Sequence, residues 1–246
     1  MKSITYIASV LFFVLLITAC SKSPGDCFTQ TGKLITTERA LENFSGILMQ
    51  DNVDVELISG ETPRVEVTAG EYILDKIITE VIDGELQIKN ENSCNFVRSF
   101  DKTIQVKVFF QQIDSIEYRS IGNLLCTSPI NNADSFKIDI FEGAGRIELE
   151  LNTAVSHLNF HYGTAELIVS GFSQVNYIYQ ASYGPVDARA LATSFNYLEN
   201  NSTNSCFVRA AIQLGVTISN IGDVYYWGDP EISLQGDGSG KLLRGN

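Results

Sequence analysis

The sequence is poor in the residue types on which most catalytic and redox chemistry depends. Its 246 residues include two histidines, His157 and His161, and no Cys-x-x-Cys or Cys/His cluster with zinc spacing. On a helix, residues four apart would make a metal pair. On a strand the two rings share a face but stand about 13 Å apart, too far for one ion. No Gly-x-Ser-x-Gly elbow, phosphate loop or dinucleotide fingerprint is present, so no metal or cofactor is implied. Positive charge is also scarce: 17 Lys and Arg stand against 29 Asp and Glu, a net charge of −12 with no basic cluster. That balance argues against nucleic acid and against an anionic membrane surface as partners. Five prolines, nineteen glycines and an apolar fraction of 44% exclude a disordered or collagen-like chain and supply a core. Beyond the first twenty residues no apolar run is long enough to span a bilayer.

Those first residues carry an address. Lys2 gives a positive start, Ile4 to Ile17 is an apolar stretch, and Leu16-Ile17-Thr18-Ala19-Cys20 resembles the lipobox of bacterial lipoproteins. The resemblance implies a signal peptide over 1–19, cleavage before Cys20, and a lipid on Cys20 that partners the membrane. Ser21 rather than Asp follows, which favours the outer membrane within the cell envelope. Nothing after Cys20 decides between the surface and the periplasmic side. Residues 20–40 are expected to be a tether and a first strand, near Gly32 to Thr37.

The rest is organised by repetition. Phe136 to Gly171 states one short pattern twice: Ile138 and Ile140, then Gly143, Gly145, Ile147 and Leu149; and Leu158 and Phe160, then Gly163, Ala165, Leu167 and Val169. Each copy is a strand, a glycine corner and a second strand with alternate apolar residues, too short to close a core alone. Corners recur at Gly122, Gly143, Gly163, Gly184, near Asn204, and at Gly222, a period of about 20 residues. The reading is all-β: a right-handed parallel β-helix-like solenoid of about 20-residue rungs, with an N-terminal β region that contains a hairpin. An antiparallel sandwich with evenly spaced hairpins is the alternative. The hairpin is expected at Ile78–Ile82 and Leu86–Lys89, joined by Asp83-Gly84. A helical turn is expected at Tyr72–Ile77. Residues 41–246 read as one domain, with an N-terminal β part over 41–112 and repeat rungs over 113–246.

A family likeness follows from the order of these pieces. Phe44 to Ile88 runs Phe-x-x-Ile, Val-x-Val-x-Leu, Gly, Val-x-Val, then Val-x-Asp-Gly-x-Leu-x-Ile. Gly-Ala-Gly-like corners come next, and Gly222-Asp223-Val224-Tyr225-Tyr226-Trp227-Gly228-Asp229-Pro230 stands near the end. Together they resemble the head GIN domain family, described as autotransporter adhesins and common among envelope lipoproteins. The resemblance covers most of residues 43–240 and implies a β-helical domain with a role in adhesion. It supplies no catalytic residues.

Four cysteines remain beside Cys20. Cys126 and Cys206 fall about four rungs apart, hence about 19 Å, whereas a disulfide needs Cα atoms within about 7 Å. The expected disulfide is therefore Cys27 with Cys94, leaving Cys126 and Cys206 as small buried hydrophobes. An enzyme cleaving acidic polysaccharides would need clustered acids beside a base. Glu148, Glu150 and Glu166 lie near one another with Arg146 as the nearby base, and solvated surface carboxylates explain them better, so no enzyme is expected. A period of 20 aligns Lys137, His157, Tyr177 and Tyr197 in one outward ladder, with Asp139, Asn159, Tyr179 and Glu199 in the next. Tyrosines among short polar groups suit contact with a glycan or a protein ligand. The expected contact face is Lys137, His157, Asn159, Tyr177, Tyr179 and Tyr197, on a lipid-anchored envelope protein that is either an adhesin or a periplasm-facing structural component.

Overall fold

A computed structural model describes residues 31–93 and 103–246. Cys20, Cys27 and Cys94, with the disulfide expected between the last two, lie outside these residues, as do the expected signal peptide and most of the expected tether. Alternation dictates the strands. In the strand Arg146–Phe160, Ile147, Leu149 and Leu151 are buried while Arg146, Glu150 and Asn152 are exposed. The pattern then slips by one position: Thr153 is buried, Ala154 and Val155 are partly covered, and Ser156, Leu158 and Phe160 are buried. The pairing with the next rung skips Ala154 at the same place. One 15-residue strand therefore supplies two arms, and both turn an apolar face to a common interior. Glu166–Gln180 and Val186–Asn200 repeat the slip.

A rung with one apolar face must be covered by its neighbours. The second arms stack in parallel and in register, Leu158 beside Ile178 and Ile178 beside Leu198. The first arms stack likewise, Leu124 beside Ile147, Ile147 beside Leu167, Leu167 beside Val186 and Val186 beside Cys206. This parallel stacking is the β-solenoid expected from the repeat, and it removes the sandwich alternative.

The strands number β1 (Leu34–Ala40), β2 (Gly46–Asp51), β3 (Val53–Ser59), β4 (Arg64–Gly70), β5 (Ile77–Ile82), β6 (Glu85–Asn90), β7 (Ile104–Phe110), β8 (Ser115–Ser120) and β9 (Leu124–Cys126), followed by β10 (Ile130–Gly143), β11 (Arg146–Phe160), β12 (Glu166–Gln180) and β13 (Val186–Asn200). Beyond these, β14 (Cys206–Arg209), β16 (Val224–Trp227) and β18 (Leu242–Arg244) extend the first-arm wall, while β15 (Gln213–Ile218) and β17 (Glu231–Gln235) extend the second-arm wall. Parallel stacking is not confined to residues after 113. The rung β2–β3 lies between β6–β7 on one side and β8–β9 on the other, all parallel. Antiparallel strands close that end: β4 on β7, β1 on β4 and β5 on β6. The β5–β6 hairpin turns at Asp83 (φ 51°) and Gly84 (φ 80°), the two positive values that an Asp-Gly turn supplies. The helical turn is a short 3-10 segment at Leu74–Lys76. Among the described residues no helix is long and apolar enough to cross a membrane.

Inside, a polar column runs beside the apolar ones. Ser156, Asn176 and Asn196 are fully buried neighbours on successive rungs. The Ser156 hydroxyl donates to Asn176 Oδ1 at 2.6 Å, and Asn196 Nδ2 donates to the Arg209 carbonyl at 3.3 Å. The corners are held similarly. Buried Tyr118 donates its hydroxyl proton to the Gly122 carbonyl (2.7 Å) and accepts from the Gly145 amide (3.1 Å), joining the corners of two rungs. Burial pushes its phenol pKa up to about 12. A side chain at Gly145 would drive into both the Gly122 carbonyl and the Tyr118 hydroxyl. Gly145→Ala should therefore cost about 1–3 kcal/mol in urea unfolding. Gly60→Ala, where the nearest atom is 3.4 Å away in Phe109, should stay within about 0.5 kcal/mol of the parent.

Candidate functional site

The outward side of the second-arm wall carries the expected ladder. Lys137 pairs with His157, His157 with Tyr177 and Tyr177 with Tyr197. Beside it run Asp139, Asn159, Tyr179 and Glu199. The constant spacing stacks the rings. His157 lies 5.0 Å from Tyr177 with planes 9° apart, and Tyr177 lies 5.4 Å from Tyr197 at 21°. His161 is not an equivalent of His157: it stacks on Phe141 (4.4 Å, 5°), and Arg119 covers that phenyl ring. Among the described residues no group of three or more His, Cys, Asp or Glu could hold a metal ion.

Asp139 anchors the start of the ladder. Lys137 Nζ lies 2.8 Å from Oδ2, while Asn159 Nδ2 (2.9 Å) and His161 Nε2 (3.1 Å) lie on Oδ1. Burial pushes this carboxyl up, but the hydrogen bonds from Lys137, His161 and Asn159, with the Lys137 charge, outweigh it and hold the group below the usual range.

The ladder ends in a groove of about 490 Å³. Tyr177, Tyr179, Tyr197 and Asn159 line it; Lys137 and His157 stand outside it, further back along the stack. The remaining polar lining is Glu199, Gln213, Thr217, Ser233 and Gln235, with Gly215 in the floor. Gly215 is the next ladder position after Tyr197, and a Cβ there would meet the tyrosine ring at 2.9 Å. The Tyr197 hydroxyl donates to Gln213 Oε1 at 3.3 Å. Gln213, Gly215, Thr217, Ser233 and Gln235 escape a count of 20 because the last rungs are shorter: Tyr197 pairs with Gly215 and Gly215 with Ser233. The corner spacing from Asn204 to Gly222 already carried that signal.

The other candidates resolve into surface and core. Arg146 lies in ion pairs with Glu148 and Glu166, all on exposed or half-exposed side chains, so the acids and the base neutralise one another in solvent. Cys126 and Cys206 are free thiols four rungs apart; Cys206 is fully buried, whereas Cys126 is only partly covered and donates to the Ser128 carbonyl. Burial pushes both thiols up.

Because Asp139 is held low in the folded state, its contribution is present above the ordinary carboxylate range and lost as pH falls through its folded value. Asp139→Asn should lower stability by about 1–2 kcal/mol at neutral pH. The gap from the parent should narrow as pH falls below the ordinary carboxylate range, as read by thermal melts at neutral and at acid pH.

Solved structures share this fold. A "putative adhesin" from Bacteroides fragilis aligns over 88% of this chain and 99% of its own at 17% identity, with a TM-score of 0.79. A "putative lipid binding protein" from Parabacteroides distasonis aligns over 89% and 99% at 20% identity and 0.69. A "putative adhesin" from Parabacteroides distasonis aligns over 87% and 98% at 16% identity and 0.68. No curated protein matches the chain. The family model described as "Putative auto-transporter adhesin, head GIN domain" matches residues 43–230, from just before β2 to just after β16. The chain belongs to the head GIN domain family.

Proposed function

We propose that this protein is a lipid-anchored, non-enzymatic component of the cell envelope whose second-arm groove holds a neutral glycan in adhesion. The groove carries the reading. Its lining offers tyrosine rings, amides and hydroxyls but no Lys or Arg, and its one carboxylate is Glu199. Such a surface favours uncharged polyols over anions. An acyl chain would leave Glu199, Thr217 and Gln235 without partners, so the lipid-binding name of one structural neighbour is not extended to this groove. The faces of Tyr177 are taken by His157 and Tyr197, which leaves its edge and hydroxyl for hydrogen bonding. The neutralised Arg146 cluster supports the non-enzymatic part of the reading. The lipobox-like sequence ending in Cys20, with Ser21 after it, supports the anchor and an outer-membrane address.

On an array of neutral glycans, the parent should bind and the double variant Tyr177→Ala/Tyr179→Ala should lose at least about tenfold in affinity. Equal binding by the double variant would remove the groove from the proposal. Cys20→Ser should move the protein from the membrane pellet to the soluble fraction; retention in the pellet would remove the lipid anchor. Protease treatment of intact cells should degrade the domain. Full protection would favour the second reading, a structural lipoprotein facing the periplasm.

A further inference from the structure

The two ends of the stack are finished differently. At the capped end the outermost strand is β1. Its Ile35, Thr37 and Arg39 lie opposite the buried Ala69, Val67 and Val65 of β4. Arg39 spends its guanidinium on the carbonyls of Ile77 (2.6 Å) and Leu74 (3.2 Å) and on the Thr79 hydroxyl (2.9 Å). A largely polar strand thus ends the array there, as a terminal repeat must in water.

The other end has no such cover. Among the described residues, β17 pairs only with β15, and β18 only with β16. Ile232 and Leu234 of β17 continue the columns of Leu214 and Val216. Those two are buried, whereas Ile232 is 42% and Leu234 55% exposed. The backbone edge is open as well. The Glu231 amide donates to the Ile212 carbonyl at 2.8 Å, so on this strand the odd-numbered residues bond back to the previous rung. Ile232 and Leu234 therefore aim their N–H and C=O groups away from it. Such an edge is completed by another strand.

β17 is complementary to itself. Turned antiparallel about a two-fold axis through Ser233, it sets Ile232 opposite Leu234 of the second copy. Both residues point at the open edge, so each such pair exchanges two backbone hydrogen bonds, and Ser233 meets its own copy as a close, non-hydrogen-bonded pair. Glu231 falls opposite the uncharged Gln235, so no like charges meet.

We propose that the β17 end is a homodimer interface, in which two copies pair β17 on β17 about Ser233 and close their open interiors on each other. Thr37 and Arg39 at the capped end give Leu234 no apolar partner, so association stops at two copies instead of running head to tail. Ser233 and Gln235 also line the groove. The axis stands perpendicular to the second-arm wall, so the two grooves meet on one side of the dimer. The interface does not depend on what the groove binds.

Disulfide trapping in cells that express the full chain, and sedimentation of the purified chain in density-matched detergent, test it. Under a mild oxidant Ser233→Cys should give a covalent dimer, because the paired Cα atoms stand within disulfide reach. Ile121→Cys, exposed on a distant corner, should stay monomeric. The parent should sediment as a monomer–dimer equilibrium with a Kd of about 1–100 µM. Leu234→Lys should weaken association at least about tenfold. Gln235→Glu, which sets carboxylates against each other across the axis, should weaken it about threefold or more, and adding Glu231→Lys should restore it. All three side chains are exposed, so these variants should keep the parent's circular dichroism. The proposal is overturned if Ser233→Cys traps no more dimer than Ile121→Cys, or if the parent sediments as a monomer at about 200 µM. It is equally overturned if the parent forms an open series of larger species, or if Glu231→Lys fails to restore what Gln235→Glu loses.

Discussion

In-register parallel pairing is the constraint on which everything else in this molecule rests. Each rung offers apolar side chains on one face only, and a stretch of about 20 residues cannot enclose them. Neighbouring rungs must therefore supply the cover, and they do so by setting like on like: Leu158 on Ile178 on Leu198 within, and Leu124, Ile147, Leu167, Val186 and Cys206 along the other wall. Once the interior fixes the register, the exterior has no freedom left. The stacking of His157, Tyr177 and Tyr197 on the outer surface follows from the same spacing that packs the core.

The groove arises where that repetition fails. The aromatic stack runs through Tyr197 and meets Gly215, then Ser233, so the wall loses its side-chain height over its last rungs. Rigid rings on one side and short polar groups on the other leave a depression whose shape is set by the backbone rather than by loops. Asp139 plays a quieter part. By gathering Lys137, Asn159 and His161 it neutralises the cation that begins the ladder, while the groove at the other end is lined by no Lys or Arg.

Much of this was legible in the sequence because the period near 20 is strict through the middle rungs. Counting alone placed Lys137, His157, Tyr177 and Tyr197 in one ladder and Asn159 with Tyr179 in the next, and the Asp83-Gly84 hairpin followed from turn chemistry. Three things were hidden. The bend inside each long strand is a slip of alternation at Thr153 to Ser156, and there the small and polar residues carry too little apolar contrast to announce a corner. The last rungs shorten, so Gly215, Ser233 and the rings Phe207, Tyr225 and Trp227 fall out of a fixed count. The position of β2–β3 between two later segments is a matter of chain threading, and alternation along a strand says which face is buried but not which strand lies beside it.

That threading has a kinetic side. Asp51 is bonded to Asn90, 39 residues on, and to Ser120, 69 residues on, whereas Ser156 reaches Asn176 over only 20. Closing a long loop costs more entropy before any contact repays it. The first rung in the chain is therefore among the last whose neighbours can arrive, and assembly is favoured from the middle of the array, spreading outward. A chain emerging or crossing a membrane from its N-terminus would carry β2 unpaired until β6 had followed it and β3 unpaired until β7 had, with their second edges open until β8 and β9 arrived. Their exposed edges are where the young polypeptide is most open to association with other chains.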